Sequence, residues 1–227
     1  MRSHYLLVAA LVVACSSPDR DSGTGTLPTT PTPSTNGYSI TVDSALAIRT
    51  AVVGTSVPAS VHVAQNGQPA SGVTITWTVS PGGGTVSAPT SVTDSSGVAA
   101  TTWTLGDTVR TLTLTGGIVG VASANLQVTT TAGPPAAVVK VSADSVAIVA
   151  GANTLLTVRV SDKTGNAVPG AAVPWTASGG ALTAATTVTG DSGNGDVVFS
   201  TEGTPKSYTV TATVAGIGAL TFKVVGL

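Results

Sequence analysis

The feature that most constrains this chain is a two-residue alternation of apolar side chains with threonine. Val73, Ile75, Trp77 and Val79 are separated by Thr74, Thr76 and Thr78. Leu112, Leu114, Gly116 and Ile118 alternate with Thr111, Thr113 and Thr115. Tyr208, Val210, Ala212 and Val214 are interleaved with Thr209, Thr211 and Thr213, and Leu220, Phe222 and Val224 with Thr221 and Lys223. Earlier, Val57, Ala59, Val61 and Val63 share one parity, with Ser60 and His62 on the other. A period of two sends successive side chains to opposite faces of a strand. Each such segment therefore has one face to bury and one face of β-favouring threonine to leave in water. Composition agrees. Charged residues are 8% of 227, and Glu202 is the sole glutamate among ten acids. Helix-favouring residues are scarce, and 27 Gly with 13 Pro supply turns. The fold expected is all-β, which excludes a helical bundle, a coiled coil or a mostly helical enzyme. The glycines follow no three-residue period, which excludes collagen.

The alternating segments occur twice, at a period near 97 residues. Gly72-Val73-Thr74-Ile75-Thr76-Trp77 matches Gly170-Ala171-Ala172-Val173-Pro174-Trp175, and Gly54 matches Gly151. Asn66-Gly67-Gln68-Pro69 answers Gly165-Asn166-Ala167-Val168-Pro169 as a turn between strands, and Asp94-Ser95-Ser96-Gly97 answers the turn from Asp191 to Gly195. Between the repeats, Ala132-Gly133-Pro134-Pro135 reads as a short stiff joint. Two domains are expected, 38–131 and 136–227, each near the roughly 100 residues of an immunoglobulin-like sandwich.

Within the second repeat, Gly165-Asn166-Ala167-Val168-Pro169-Gly170 leads to Val173 and Trp175, and an alternating Thr-Val-Thr-Ala-Thr-Val strand follows near the end. This pattern resembles the bacterial Ig-like domains of the invasin and intimin type, often called Big-1. It is carried best by Asp162 to Trp175 and Tyr208 to Gly216. The first repeat departs from it, with Gln68-Pro69-Ala70-Ser71 in place of Val-Pro-Gly. The resemblance implies two tandem Ig-like β-sandwiches. It leaves function open, because such repeats serve as spacers, adhesins and enzyme appendages.

The N-terminus addresses the compartment. Arg2 and the terminal amine precede the apolar run Leu6 to Val13, which is shorter than the roughly 20 residues of a membrane span and suits a signal peptide. Val12-Val13-Ala14-Cys15 resembles a bacterial lipobox, and Cys15 is the only cysteine. Residues 1–14 are thus expected to be a lipoprotein signal peptide and Cys15 the lipidated residue, with Ser16 behind it favouring outer-membrane sorting. From Cys15 to Gly37 the chain is a flexible linker rich in Ser, Thr, Pro and Gly. Its length past the cysteine allows at most about 73 Å of reach.

Chemistry-bearing residues are few. After cleavage His62 is the only histidine, set mid-strand beside Val61 and Val63 and matched by Arg159 in the other repeat. A Ser-His-Asp site needs an orienting acid and an oxyanion hole in register, and zinc needs three or four ligands. Asp191, Asn194 and Asp196 form the string closest to a calcium loop. Calcium takes roughly six to eight oxygens and often a bidentate Glu, and no Glu comes before Glu202. That string therefore reads as a glycine turn, and neither metal nor cofactor is expected. Trp77, Trp175 and Tyr208 share the parity of apolar neighbours and are assigned to the core. Trp103 has no counterpart in this alignment, which leaves two placements open: core, or an exposed or interdomain contact.

A net charge of −1 gives no electrostatic footprint for nucleic acid. The expected protein is a non-enzymatic surface lipoprotein of the bacterial envelope, a structural spacer or an adhesin. It would be held to the membrane by its lipid and would present its domains to a protein or glycan ligand. The alternative is a carbohydrate-binding or accessory module of an extracytoplasmic enzyme or complex.

Overall fold

The structure, a computed structural model, describes residues 36–43 and 50–227. Among them every regular element is a β-strand. The expectations for the signal peptide, Cys15 and most of the linker fall outside the described residues.

The first domain contains β1 (Tyr38–Val42), β2 (Thr50–Val52), β3 (Ser56–Gln65), β4 (Gln68–Pro69), β5 (Thr74–Val79), β6 (Gly84–Val86), β7 (Thr90–Val92), β8 (Val98–Leu105), β9 (Thr111–Ile118) and β10 (Ala122–Thr131). One sheet runs β1-β3-β8-β6 with β4 on β3, and the other runs β2-β10-β9-β5-β7. The second domain contains β11 (Ala137–Lys140), β12 (Ser145–Ile148), β13 (Asn153–Ser161), β14 (Ala172–Ala177), β15 (Ala181–Leu182), β16 (Thr186–Val188), β17 (Asn194–Ser200), β18 (Lys206–Val214) and β19 (Gly218–Gly226). Its sheets run β11-β13-β17-β15 and β12-β19-β18-β14-β16. In each domain the first strand belongs to one sheet and the second crosses to the other, where it pairs in parallel with the last strand. The architecture is that of two immunoglobulin-like sandwiches in tandem.

Each sandwich closes around its own apolar core. In the first, Val61, Val63, Ile75, Trp77, Trp103, Leu112 and Leu114 are buried together. In the second, Leu156, Val158, Val173, Trp175, Phe199, Tyr208 and Phe222 are buried together. The intervening threonines of β5 and β18 face outward or are only partly covered. Ser60 departs from this rule: it is buried although its parity points outward. Asp43, the residue after β1, lies beside it: its N–H donates to the Ser60 carbonyl, and Ser60 Oγ lies 3.4 Å from Asp43 Oδ2.

Three details of the repeat differ from the sequence alignment. Its offset is not constant. The Trp77/Trp175 pair is 98 apart, but Gly97 and Gly193 occupy the same turn position 96 apart, as shown by their donation to Asp94 and Gly190 carbonyls. The first domain carries two extra residues between Ser80 and Gly84, gripped where the Arg110 guanidinium donates to the Pro81 carbonyl. Asp94 therefore answers Gly190, not Asp191. Trp103 also gains a counterpart: it faces Val57 and Val86 across the sheet, just as Phe199 faces Thr154 and Leu182. It is fully buried, and Trp103 Nε1 donates to the Gly83 carbonyl at 2.8 Å.

The indoles of Trp77 and Trp175 are held alike, donating to Ser91 Oγ and Thr187 Oγ1 at 2.9 Å. A buried tryptophan needs such a partner for its one polar group. Opposite Trp77 stands Gly116, where an added Cβ would come within 2.7 Å of the Trp77 ring. In the second domain Ala212 holds that place, and Trp175 stacks on Phe222 with centroids 6.1 Å apart. Trp77→Ala and Trp175→Ala are each expected to cost about 3–5 kcal/mol, as deletion of a buried aromatic does. Chemical denaturation measures this, and a change under about 1 kcal/mol would place the rings at the surface.

Candidate functional site: the joint between the domains

Among the described residues, a dense polar constellation lies where the two sandwiches meet. It is built on the hairpin after β13. Ser161 bridges to Ala167, and the five residues Asp162 to Asn166 form the loop between them. Asp162 is 2% exposed. Its Oδ1 accepts the backbone N–H groups of Thr164 and Asn166, both at 2.9 Å, and the Thr164 hydroxyl at 2.8 Å. These bonds fold the loop onto the carboxylate, as Asx turns do. The other oxygen, Oδ2, accepts Asn166 Nδ2 at 2.9 Å and the N–H of Gly133, in the interdomain segment, at 3.0 Å. One carboxylate thus shapes a hairpin in the second domain and holds the chain that enters it.

Asn166 completes the contact. Its Nδ2 donates to the Asp107 carbonyl at 2.7 Å, and its Oδ1 accepts the Val109 N–H at 3.3 Å. Both partners belong to the loop between β8 and β9 of the first domain. Thr164 Oγ1 also lies 3.3 Å from the Asp107 carbonyl. Apolar contact supports the polar one, since Ala132 packs against the second core. The side-chain amide suits this place because it donates and accepts at once.

Burial alone raises the pKa of a carboxyl. At Asp162 the bonds from Asn166, Gly133 and Thr164 outweigh that effect and hold the group well below the usual carboxylate range. The residue stays ionised at neutral pH.

The equivalent positions elsewhere lack these groups. Gln65 stands where Asp162 does in the first domain. At the far end of the second domain, Gly203 and Pro205 stand where Asp107 and Val109 do, and proline has no N–H to give. The clamp is specific to the junction.

The residues singled out by sequence lie elsewhere. Trp77, Trp175 and Tyr208 are buried, and Tyr208 Oη accepts the Glu202 N–H at 2.9 Å. His62 is half-buried in β3 opposite Val98. Of the calcium-like string, Asp191 is exposed in the turn, Asn194 pairs with Arg159, and Asp196 accepts the Thr157 hydroxyl at 2.6 Å. Gly193 makes the turn: its φ is 76°, and an added Cβ would meet the Val160 carbonyl at 2.5 Å. Among the described residues no group of three or more His, Cys, Asp or Glu is placed to hold a metal. Sequence reasoning read Gly165-Asn166 as an ordinary turn and passed over Asp162. Its signal was the Asp-x-x-x-Asn spacing, which the matching turn of the first repeat lacks.

Asp162 stabilises the folded state only while ionised. Its folded pKa lies below the unfolded value of about 3.9, so its contribution is full above that value and is lost as pH falls from about 5 toward its folded pKa. Asp162→Asn is expected to lower stability at pH 7 by about 2–3 kcal/mol, the scale of hydrogen bonds to a buried charge, and to flatten the acid limb. Urea titrations at pH 7 and pH 3 measure both effects, and equal stability of variant and wild type at pH 7 would contradict the assignment.

The comparisons agree with this architecture. The chain is similar to FdeC, an Escherichia coli adhesin, at 21% identity over 87% of this chain and 65% of that one, with a TM-score of 0.63. Yersinia pseudotuberculosis InvD matches at 16% identity over 86% of this chain and 58% of that one, TM-score 0.53. The chain thus spans about two thirds and somewhat over half of these neighbours. The D0-D1 domain of intimin matches at 22% identity, covering 83% of this chain and 97% of that one, with a TM-score of 0.35. No curated protein matches the sequence. Residues 136–224, the span of the second sandwich, match the family described as bacterial Ig-like domain (group 1).

Proposed function

We propose that this chain is a lipid-anchored protein of the bacterial cell surface, an adhesin-type module in which two Ig-like domains act as a stiff spacer. The observation that carries the reading is the junction. A flexible string of domains needs no fixed contacts between its members, whereas a spacer that sets a distance does. Asp162, Thr164 and Asn166 tie the connecting segment and the β8–β9 loop to the second domain through four polar contacts. Interdomain surfaces move freely unless such contacts restrain them.

The anchor rests on the N-terminal sequence. Cys15 would carry the lipid, and residues 16–37 would carry the domains away from the membrane. Several acyl chains anchor stably, where one holds only marginally. The fold shared with FdeC and InvD supports a place at the surface. A partner, protein or glycan, would meet the outer faces of the sheets. Among the described residues Trp77, Trp103, Trp175, Phe199, Tyr208 and Phe222 are at most 4% exposed, and Tyr38 is half-buried. The placement of these six rings does not support the sugar-stacking platform of a carbohydrate-binding module.

Fractionation and metabolic lipid labelling test the anchor. The wild type is expected to take up labelled palmitate and stay with membranes, and Cys15→Ser to lose both. A wild type that takes up no label while the variant still fractionates with membranes would contradict the proposal.

A further inference from the structure

One outer face of the second domain is apolar where the others carry threonine. It belongs to the sheet β11-β13-β17-β15. Val139 of β11, Val141 just past it and Leu155 of β13 are 53%, 56% and 56% exposed. Their chain neighbours Val138 and Leu156 supply the core side. Leu155 pairs directly with Val198 of β17, which is half-buried on the same face. The Val141 N–H donates to the Thr157 carbonyl, so the β11 side of the patch runs on beside β13. A contiguous apolar patch left in water marks a surface of contact.

The first domain does not repeat this face. By strand register, Thr41, Pro58 and Thr102 stand where the second domain has Val139, Leu155 and Val198. His62 and Ala100 stand where it has Arg159 and Asp196. The second domain has therefore gained aliphatic bulk and two opposite charges on one surface. Arg159 Nε donates to the Ser192 carbonyl, and Asp196 Oδ1 accepts the Thr157 hydroxyl. Neither residue belongs to an ion pair among the described residues.

These six residues form a self-complementary pattern. Val139 lies level with Arg159, Val141 and Asp196 lie level with Thr157, and Leu155 lies level with Val198. Strands sit about 4.8 Å apart and alternate residues about 6.8 Å along a strand, which puts Arg159 and Asp196 roughly 8 Å apart on the diagonal. Let a second copy lie face down, turned about a two-fold axis in the interface plane that bisects this diagonal. Arg159 then faces Asp196 of the second copy, and Asp196 faces its Arg159. On the same grid Val139 lands within about 4 Å, laterally, of Leu155 and Val198, and Val141 lands beside its own copy. The strands of the two sheets cross at about 110°, near the orthogonal class of sheet packing. A two-fold contact demands this match of a patch to itself.

We propose that the outer face of β11, β13 and β17 is a self-association surface, on which a second copy of this chain packs about a two-fold axis. A single sheet face is small, which places the pair among weak, transient contacts. Chains held on one membrane would meet at raised effective concentration, but the pairing itself rests on neither the anchor nor the spacer reading.

Sedimentation equilibrium of the chain from Ser16 to Leu227, from about 10 μM to about 1 mM, tests this in the range where weak pairs form. The wild type is expected to move from monomer to dimer as concentration rises. Arg159→Asp and Asp196→Arg are each expected to weaken the dimer at least tenfold, since each sets like charges face to face. An equimolar mixture of the two is expected to restore it, because both cross-pairs are then opposite in charge. Leu155→Thr is expected to weaken the dimer at least tenfold with unchanged stability to urea, as an exposed substitution should. Thr102→Arg, on the matching face of the first domain, is expected to leave the dimer intact. A wild type that stays monomeric at every concentration would overturn the proposal and give the face to a different partner. So would a dimer that survives Leu155→Thr, one lost equally in Thr102→Arg, or folded charge variants whose mixture stays monomeric. If a charge variant does not fold, the wild type and Leu155→Thr decide.

Discussion

The arrangement of this protein depends on one buried carboxylate. Asp162 accepts hydrogen bonds at both oxygens, from its own hairpin and from Gly133 in the connecting segment. A buried charge is tolerable only when its acceptor sites are filled, so the hairpin and the connection have to be present together. Through Asn166 the same hairpin reaches Asp107 and Val109. Local turn geometry, the path of the linker and the seating of one domain on the other thus share a single group. That group remains charged at neutral pH because its donors outweigh its burial.

Inside the sandwiches, shape is conserved while residues are not. Position for position, Trp103 is answered by Phe199, Leu112 by Tyr208, Gly116 by Ala212 and Leu126 by Phe222. The first domain concentrates its bulk in two indoles and clears a glycine for one of them. The second spreads it over four rings, with Phe199 and Tyr208 edge to face at 5.3 Å. Close packing requires the sum of volumes to be kept, not each volume. The Tyr208 hydroxyl, turned back to the Glu202 backbone, makes the corner common in Ig sandwiches.

The strands were legible because their period is local. Thr209 to Val214 or Val73 to Val79 states its own inside and outside, and the matching tryptophans mark equivalent strands. The alignment failed where loops changed length, since a two-residue insertion between Ser80 and Gly84 has no hydrophobic signature. That shift hid the Trp103 and Phe199 pair and matched Asp94 to the wrong residue. The junction was legible only as a Gly-Pro-Pro break. Its clamp joins Asp162 and Asn166 to Gly133, Asp107 and Val109, most of them through backbone groups, which any residue type supplies. Periodicity does not report such contacts. Asp196 shows the converse: a residue that looked available for a metal is used by Thr157 within the sheet.

If Asp162 fixes the junction, the two domains hold one relative placement in solution. Spin labels at exposed sites in β5 and β18, read by double electron–electron resonance, report this as a distance distribution. The account predicts one narrow distance for the wild type, broadened when Asp162→Ala releases Gly133 and the hairpin. A broad wild-type distribution, or the same narrow one in the variant, would contradict it.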